Sequence, residues 1–223
     1  MRKRNDRRAG AEAGFSLIEL MVALGVTLVI MVVASRMLAM TMAVRARENQ
    51  RAEAIADVQR ALQTMSREIS NAGLGLRPVG GAPNNGLVDE DSDNISIRVR
   101  SNLNAFCGPG GAACNNTTTD PDEDIVFSII SNNSGGETQK LITRQDVTTD
   151  AISPLANRVD DLNIAYLNAD GTPAAAPSAA SRVRLVVSVN LPRIGTPGAP
   201  GYQPPSRMSL TSDVVLRNSV LNQ

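Results

Sequence analysis

Glu19 is a carboxylate inside an otherwise apolar stretch of the chain. Residues 15–35 contain no other charged side chain. As a helix, these 21 residues span about 31 Å, which matches the hydrocarbon core of a bilayer. A lone carboxylate in lipid costs several kcal/mol, so an acid at this depth is expected to have a function and a charged partner.

The two cysteines, Cys107 and Cys114, lie in one short segment rich in glycine. Outside the cytoplasm, cysteines this close together are expected to form a local disulfide, which would stabilise a folded domain by about 2–3 kcal/mol. Two cysteines alone are too few for a structural zinc site, which takes four ligands. We therefore expect a disulfide that closes a surface loop.

Two acidic runs share the spacing D-x-D-x-D, which can supply carboxylate oxygens to a hard cation such as calcium. Neither run has the sixth-position glycine and twelfth-position glutamate of an EF-hand loop. Each run precedes a β pattern, so a solvated lead-in to a strand is the preferred interpretation and a calcium site the alternative. The six residues are Asp89, Asp91, Asp93, Asp120, Asp122 and Asp124.

The chain contains no histidine, which excludes His-based catalytic triads and His metal sites. The adjacent pair Asp160–Asp161 is better explained as the solvent face of a strand than as catalytic carboxylates, because no phosphate loop or nucleophile accompanies it. Residues 15–223 carry 17 basic and 20 acidic side chains, without the basic stripe of a nucleic-acid-binding surface. We expect no enzymatic activity, no cofactor and no nucleic-acid partner.

A basic segment precedes the apolar stretch. Positive charge stays in the cytoplasm, which predicts a cytoplasmic N-terminus and a C-terminal domain on the other side of the membrane. A secretory signal cleaved after Ser35 and a plain single-pass anchor are two interpretations, but neither gives Glu19 a role. The basic side chains are Arg2, Lys3, Arg4, Arg7 and Arg8.

A third interpretation comes from the heptapeptide Gly-Phe-Ser-Leu-Ile-Glu-Leu at residues 14–20. It resembles the processing site of the type IV pilin and type II secretion pseudopilin superfamily, the class III prepilin signal. The resemblance implies that a prepilin peptidase/methyltransferase removes residues 1–14 as a leader, cutting between Gly14 and Phe15 and methylating Phe15. Glu19 would then be the fifth residue of the mature chain and would align an incoming subunit with its neighbour in a filament.

Physical chemistry agrees with that role for Glu19. Cleavage after Gly14 creates a cationic amine on Phe15, one helical turn from Glu19, which can meet its own amine or that of a neighbouring subunit. A buried ion pair helps only when both partners are present, so such a pair can fix the axial register of packed helices.

The helical pattern continues beyond the apolar stretch to about Ala72. Residues 15–35 would form a transmembrane half and residues 36–73 an amphipathic half, with Gly73 as the helix stop. The apolar stripe of the second half is expected to pack on the chain's own sheet, with a coiled-coil dimer as the alternative. The stripe consists of Ile55, Val58, Leu62, Met65, Ile69 and Ala72.

Residues 74–223 are predicted to form a β-rich head. Short strands follow one helix without helical alternation, which favours an α+β fold with an antiparallel sheet and long loops. The last strand, Met208–Leu216, is expected to have a bulge or break near Ser212. Strand patterns cover residues 95–99, 125–130, 140–143, 159–167, 183–189 and 208–216.

Four segments resemble PilW-type minor pilins in their order: residues 66–73, 159–166, 182–185 and 215–218. The resemblance implies a minor subunit of a type IV pilus that acts in filament initiation. It would contact other minor and major pilins through the N-terminal helix, stand in the bacterial inner membrane with a periplasmic head, and enter the extracellular pilus. J-type pseudopilins of type II secretion are the next resemblance, and a membrane-anchored adhesin that never polymerises is the alternative from another class.

Overall fold

The computed structural model describes residues 14–78, 84–105, 117–134 and 137–218. Within these residues, a single long helix, α1 (Leu17–Ser70), is followed by seven strands. At the usual rise, its 54 residues extend for about 81 Å. Gly73 follows with φ of 76°, a conformation that favours glycine and ends the helix, as predicted.

The strands form two antiparallel sheets. The first has the order β1-β2-β3-β4 and the second β5-β6-β7. An α+β fold with antiparallel pairing was predicted from the sequence and is confirmed, but the head contains two sheets and not one. The strands are β1 (Ser96–Arg100), β2 (Asp124–Ser134), β3 (Glu137–Asp146), β4 (Ala151–Val159), β5 (Asp161–Leu167), β6 (Arg182–Leu191) and β7 (Ser206–Val215).

The change of sheet takes place at Asp160. This single residue separates β4 from β5. Two residues form the shortest common loop between paired antiparallel strands, so β4 and β5 cannot form an ordinary hairpin. The chain turns instead into the second sheet, and Arg158 adopts a φ of 59° just before the corner.

Two strand predictions were incomplete or wrong. Strand β4 was not predicted, because it contains Pro154 and lacks a clear alternation; it lies at the edge of its sheet, where proline is tolerated. The expected break near Ser212 is absent, since β7 pairs with β6 in continuous register. Ser212 occupies a core-facing position at which its hydroxyl lies 2.9 Å from that of Ser66 on α1.

The core lies between the amphipathic half of α1 and the two sheets. The helix stripe packs against side chains of both sheets, as predicted, so it is not free for a coiled coil. Its partners include Phe127 on β2 and Leu185 on β6, both fully buried. The buried helix residues are Val58, Ala61, Leu62, Met65, Ile69 and, just after the helix, Ala72.

The end of α1 is tied to strand β1. The Gly73 N–H donates to the Arg100 carbonyl at 2.9 Å, and the Arg100 N–H donates to the Gly86 carbonyl at 2.7 Å. A Cβ at Gly86 would lie 2.1 Å from the Gly73 nitrogen, a distance that no side chain tolerates. This close approach fixes the direction in which the head leaves the helix.

Candidate functional site

Gly14 and Phe15 lie just before the start of α1. The next residue, Ser16, is the N-cap and is extended, with φ of −72° and ψ of 140°. No described heavy atom lies within 4 Å of the position that a Cβ on Gly14 would occupy, and Phe15 is 80% exposed. Among the described residues, no group covers the Gly14–Phe15 bond, and in this sense the bond is open.

Glu19 lies in the first turn of α1 and is exposed. The first turn leaves backbone N–H groups without helical acceptors, and the helix dipole favours a carboxylate there. No ion pair joins Glu19 to another residue in the part of the chain that the structure describes. Phe15 precedes the extended N-cap Ser16, so an amine created at Phe15 would lie at the end of α1 whose first turn contains Glu19.

The N-terminal half of α1 is a continuous apolar surface. No residue of its most apolar 18-residue stretch is buried within the molecule. By length and composition α1 is the one helix in the described residues that can cross a membrane. Large apolar side chains stay exposed past Arg36, as far as Val44 at 49%. A patch of this size marks contact with lipid or with other subunits.

The two acidic runs meet at one arginine. Arg98 on β1 contacts Asp91 of the first run at 2.5 Å and Asp124 of the second at 2.7 Å. Arg100 also contacts Asp124, at 2.9 Å. Sequence reasoning missed these two arginines, although their alternation with Ile97 and Val99 placed both on one face of β1.

The remaining carboxylates of the runs hold nearby loops. Asp93 accepts hydrogen bonds from the N–H groups of Ile95 and Ser96, both at 2.7 Å. Asp89 accepts from Ser178 at 2.7 Å, Asp120 from Asn104 at 2.6 Å and Asp122 from Arg144 at 2.5 Å. Among the described residues, no group of three or more acidic, histidine or cysteine side chains is arranged to hold a metal ion.

The pKa of Asp124 is lowered in the folded protein. Burial raises it, but hydrogen bonds from Arg98 and Arg100, together with their charges, outweigh burial. A carboxyl whose folded pKa lies below its unfolded value of about 3.9 stabilises the fold above that pH. This stabilisation is lost as the pH falls through the folded pKa.

The variant Asp124→Asn should therefore lower the free energy of unfolding at pH 7 by about 2 kcal/mol, since the three charged hydrogen bonds that Arg98 and Arg100 donate to the carboxylate are lost or weakened. The difference from the wild type should shrink as the pH falls from about 4 through the lowered folded pKa, because protonation then removes the charge of the wild-type carboxyl. Urea unfolding of the full chain between pH 7 and pH 2.5 measures both effects. A difference independent of pH would contradict the ion-pair role.

Asp161→Asn serves as the matched control. Asp160 and Asp161 are partly exposed and lie 3.4 and 3.7 Å from Arg207. Exposed pairs of this kind contribute about 0–1 kcal/mol, so this variant should stay close to the wild type at every pH. The placement agrees with the solvent face that was predicted for the two residues.

Cys107 and Cys114 lie outside the described residues. The disulfide between them stays a prediction.

Comparison with known proteins identifies one family motif. Residues 10–35 match the prokaryotic N-terminal methylation motif. This match spans the open Gly14–Phe15 bond, Glu19 and the exposed apolar half of α1. A search of curated proteins and a search of solved structures each found no match. The motif supports a place in the type IV pilin and pseudopilin superfamily and points to a structural subunit that a prepilin peptidase processes.

Proposed function

We propose that this chain is a minor subunit of a type IV pilus, with its N-terminal methylation motif as the starting point. The observation that supports this proposal is the arrangement at one end of α1. It consists of an open Gly14–Phe15 bond, Glu19 in the first turn and an exposed apolar helix surface. A protein built only to be anchored in lipid would need the apolar surface but neither of the other two features.

In this proposal the chain has four segments. Residues 1–14 are the leader that is removed, and residues 15–35 span the inner membrane with the N-terminus in the cytoplasm. Residues 36–73 continue the helix, and residues 74–223 form the periplasmic head. After processing, the apolar half of α1 leaves the lipid and packs against other minor and major pilins in the filament.

Glu19 supplies the specificity of that packing. The helix surface around it is apolar and offers no directional contact, so the only charged contact available is between the Glu19 carboxylate and a Phe15 amine. Pairing across two subunits fixes how far one helix slides along the next. A subunit without either charge would leave its partner's charge unpaired in an apolar bundle.

Mass spectrometry of the mature N-terminus tests the processing step. In cells that contain the prepilin peptidase, the chain should begin at an N-methylated Phe15. Gly14→Val should retain Met1 and the leader, because a branched side chain occupies the cut site. Gly25→Val is the matched control: Gly25 lies in α1 with open space around it, and its replacement should leave cleavage unchanged.

An intact Met1 in the wild type, or cleavage after Ser35, would contradict the proposal and favour a signal peptide or a non-polymerising anchored adhesin. Sheared filaments separate the two polymerising alternatives. A minor pilin should copurify in small amounts with pili, whereas a J-type pseudopilin should copurify with the pseudopilus of a type II secretion system.

A further inference from the structure

The loop between β6 and β7, residues 192–205, folds back onto α1. Arg47 on α1 is buried and donates hydrogen bonds from its guanidinium to the carbonyls of Pro192 and Pro204, so it closes the two ends of the loop. Inside this closure, Ile194 and Gln203 exchange two backbone hydrogen bonds of 3.0 Å each. The loop is thus an ordered projection attached to the helix at Arg47.

Gly201 shows the direction in which the loop runs. It has a φ of 83°, and a Cβ there would lie 3.0 Å from both the Ala39 carbonyl oxygen and the Ala43 Cβ. Ala39 and Ala43 precede Arg47 on α1 by two turns and one turn. From its closed ends the loop therefore extends along the helix toward the apolar half.

This direction brings the loop to the edge of the membrane span. If the span ends at Ser35, Ala39 lies about 6 Å beyond it along the helix. The polar layer of a bilayer is about 5–8 Å thick on each side, so Gly201 lies at the depth of the lipid headgroups. In a processed chain the span cannot start before Phe15. If the span starts later and ends beyond Ser35, the loop lies deeper in the bilayer.

The side chains around the loop suit such a surface. Arg36, directly after the apolar span, is exposed and forms no ion pair within the described parts of the chain. Tyr202 and Ile194 are half-buried on the loop. Guanidinium groups bind phosphate, and tyrosine is enriched where lipid headgroups meet the hydrocarbon.

We propose that the loop 192–205 docks on the periplasmic surface of the inner membrane, with anionic phospholipid headgroups as its partner. Arg36 on α1, directly after the span, contacts lipid phosphates, and Tyr202 lies among the headgroups. Arg47 is a positioning residue that holds the loop against the helix. Docking would fix the height of the head above the membrane before the subunit joins a filament. This inference rests on the proposed function only in taking residues 15–35 as the span.

Tryptophan fluorescence tests the docking, because the chain contains no tryptophan. The full chain is reconstituted in vesicles of phosphatidylethanolamine and phosphatidylglycerol, with or without lipids brominated near the headgroup. Tyr202→Trp should emit at shorter wavelength than an exposed tryptophan and lose intensity in the brominated vesicles. Emission unaffected by brominated lipid would overturn the proposal.

Two further single-tryptophan variants make the result unambiguous. Ile152→Trp is the exposed control, because Ile152 lies on β4 at the end of the molecule away from the span. Its neighbour Ser153 pairs with Arg144 on β3, and Arg144 binds Glu68 near the C-terminal end of α1. The Ile152→Trp variant should not be quenched. Val29→Trp, inside the span, should be quenched by lipids brominated deep in the acyl chain; if it is not, the membrane anchor itself fails and not only the loop docking.

Charge and attachment are tested on the Tyr202→Trp background. Adding Arg36→Glu or Arg47→Ala should reduce headgroup quenching, the first by repelling phosphate and the second by releasing the loop. Quenching unchanged in both would overturn the assigned roles. A Tyr202→Trp spectrum that shifts with the density of protein, and not with brominated lipid, would identify a neighbouring subunit as the occupant and overturn lipid docking.

Discussion

The variant Glu19→Ala is expected to be cleaved after Gly14 at the wild-type rate and to be nearly absent from assembled filaments. The peptidase acts on the open bond before Phe15, which this substitution leaves intact. Assembly is different, because the Phe15 amine would be buried in an apolar helix bundle without its carboxylate. Removing one partner of a buried ion pair costs about 3–5 kcal/mol, which corresponds to a loss of incorporation of about 100-fold or more.

Quantitative mass spectrometry of the membrane fraction and of sheared filaments measures both steps for the same variant. N-methylation is read from the same peptide, since loss of the carboxylate is expected to impair either methylation or incorporation. Glu48→Ala is the matched control, because Glu48 is an exposed carboxylate on the same helix beyond its apolar half. Normal piliation with Glu19→Ala would refute the role of the ion pair.

The variant Met65→Lys is expected to unfold the head while leaving the membrane half of α1 in place. Met65 is fully buried on the stripe that packs against both sheets. A lysine there would bury an ammonium group with no acceptor, at a cost of several kcal/mol. Domains of this size have a total stability of about 5–15 kcal/mol, so this single substitution removes a large part of it.

Urea-dependent proteolysis of the detergent-solubilised chain measures this effect, since an unfolded head is cleaved and α1 in the micelle is protected. Gln63→Lys adds the same charge two residues away on the exposed face and should leave the midpoint unchanged. Met65→Leu keeps the volume and should cost less than about 1.5 kcal/mol. If the two lysine variants, Met65→Lys and Gln63→Lys, had the same urea midpoint, the result would contradict a core shared by α1 and the two sheets.

The N-terminal methylation motif and the helix could be recognised from the sequence because they depend on neighbours along the chain. The spacing of Gly14, Phe15 and Glu19 is local, and so is the apolar repeat that ends at Ala72 and Gly73. The same holds for strands with a strict alternation, such as residues 183–189. In each case the residues that determine the structure lie within a few positions of one another.

What only the tertiary structure decided depends on partners far apart in the sequence. Strand β4, with Pro154, forms because β3 offers it an edge, and β7 stays regular at Ser212 because Ser66 faces it across the core. Asp124 is an ion-pair partner and not only part of an acidic run because Arg98, 26 residues away, lies on the adjacent strand.

The loop 192–205 is the clearest case of a feature that the sequence alone does not predict. Its proline and glycine content predicts an irregular connection and says nothing about where that connection lies. Arg47, 145 residues before Pro192, holds it against α1. Chain periodicity carries no information about a contact of that separation, whereas folding the head onto the helix brings the loop next to Ala39 and Ala43 at the apolar half of α1.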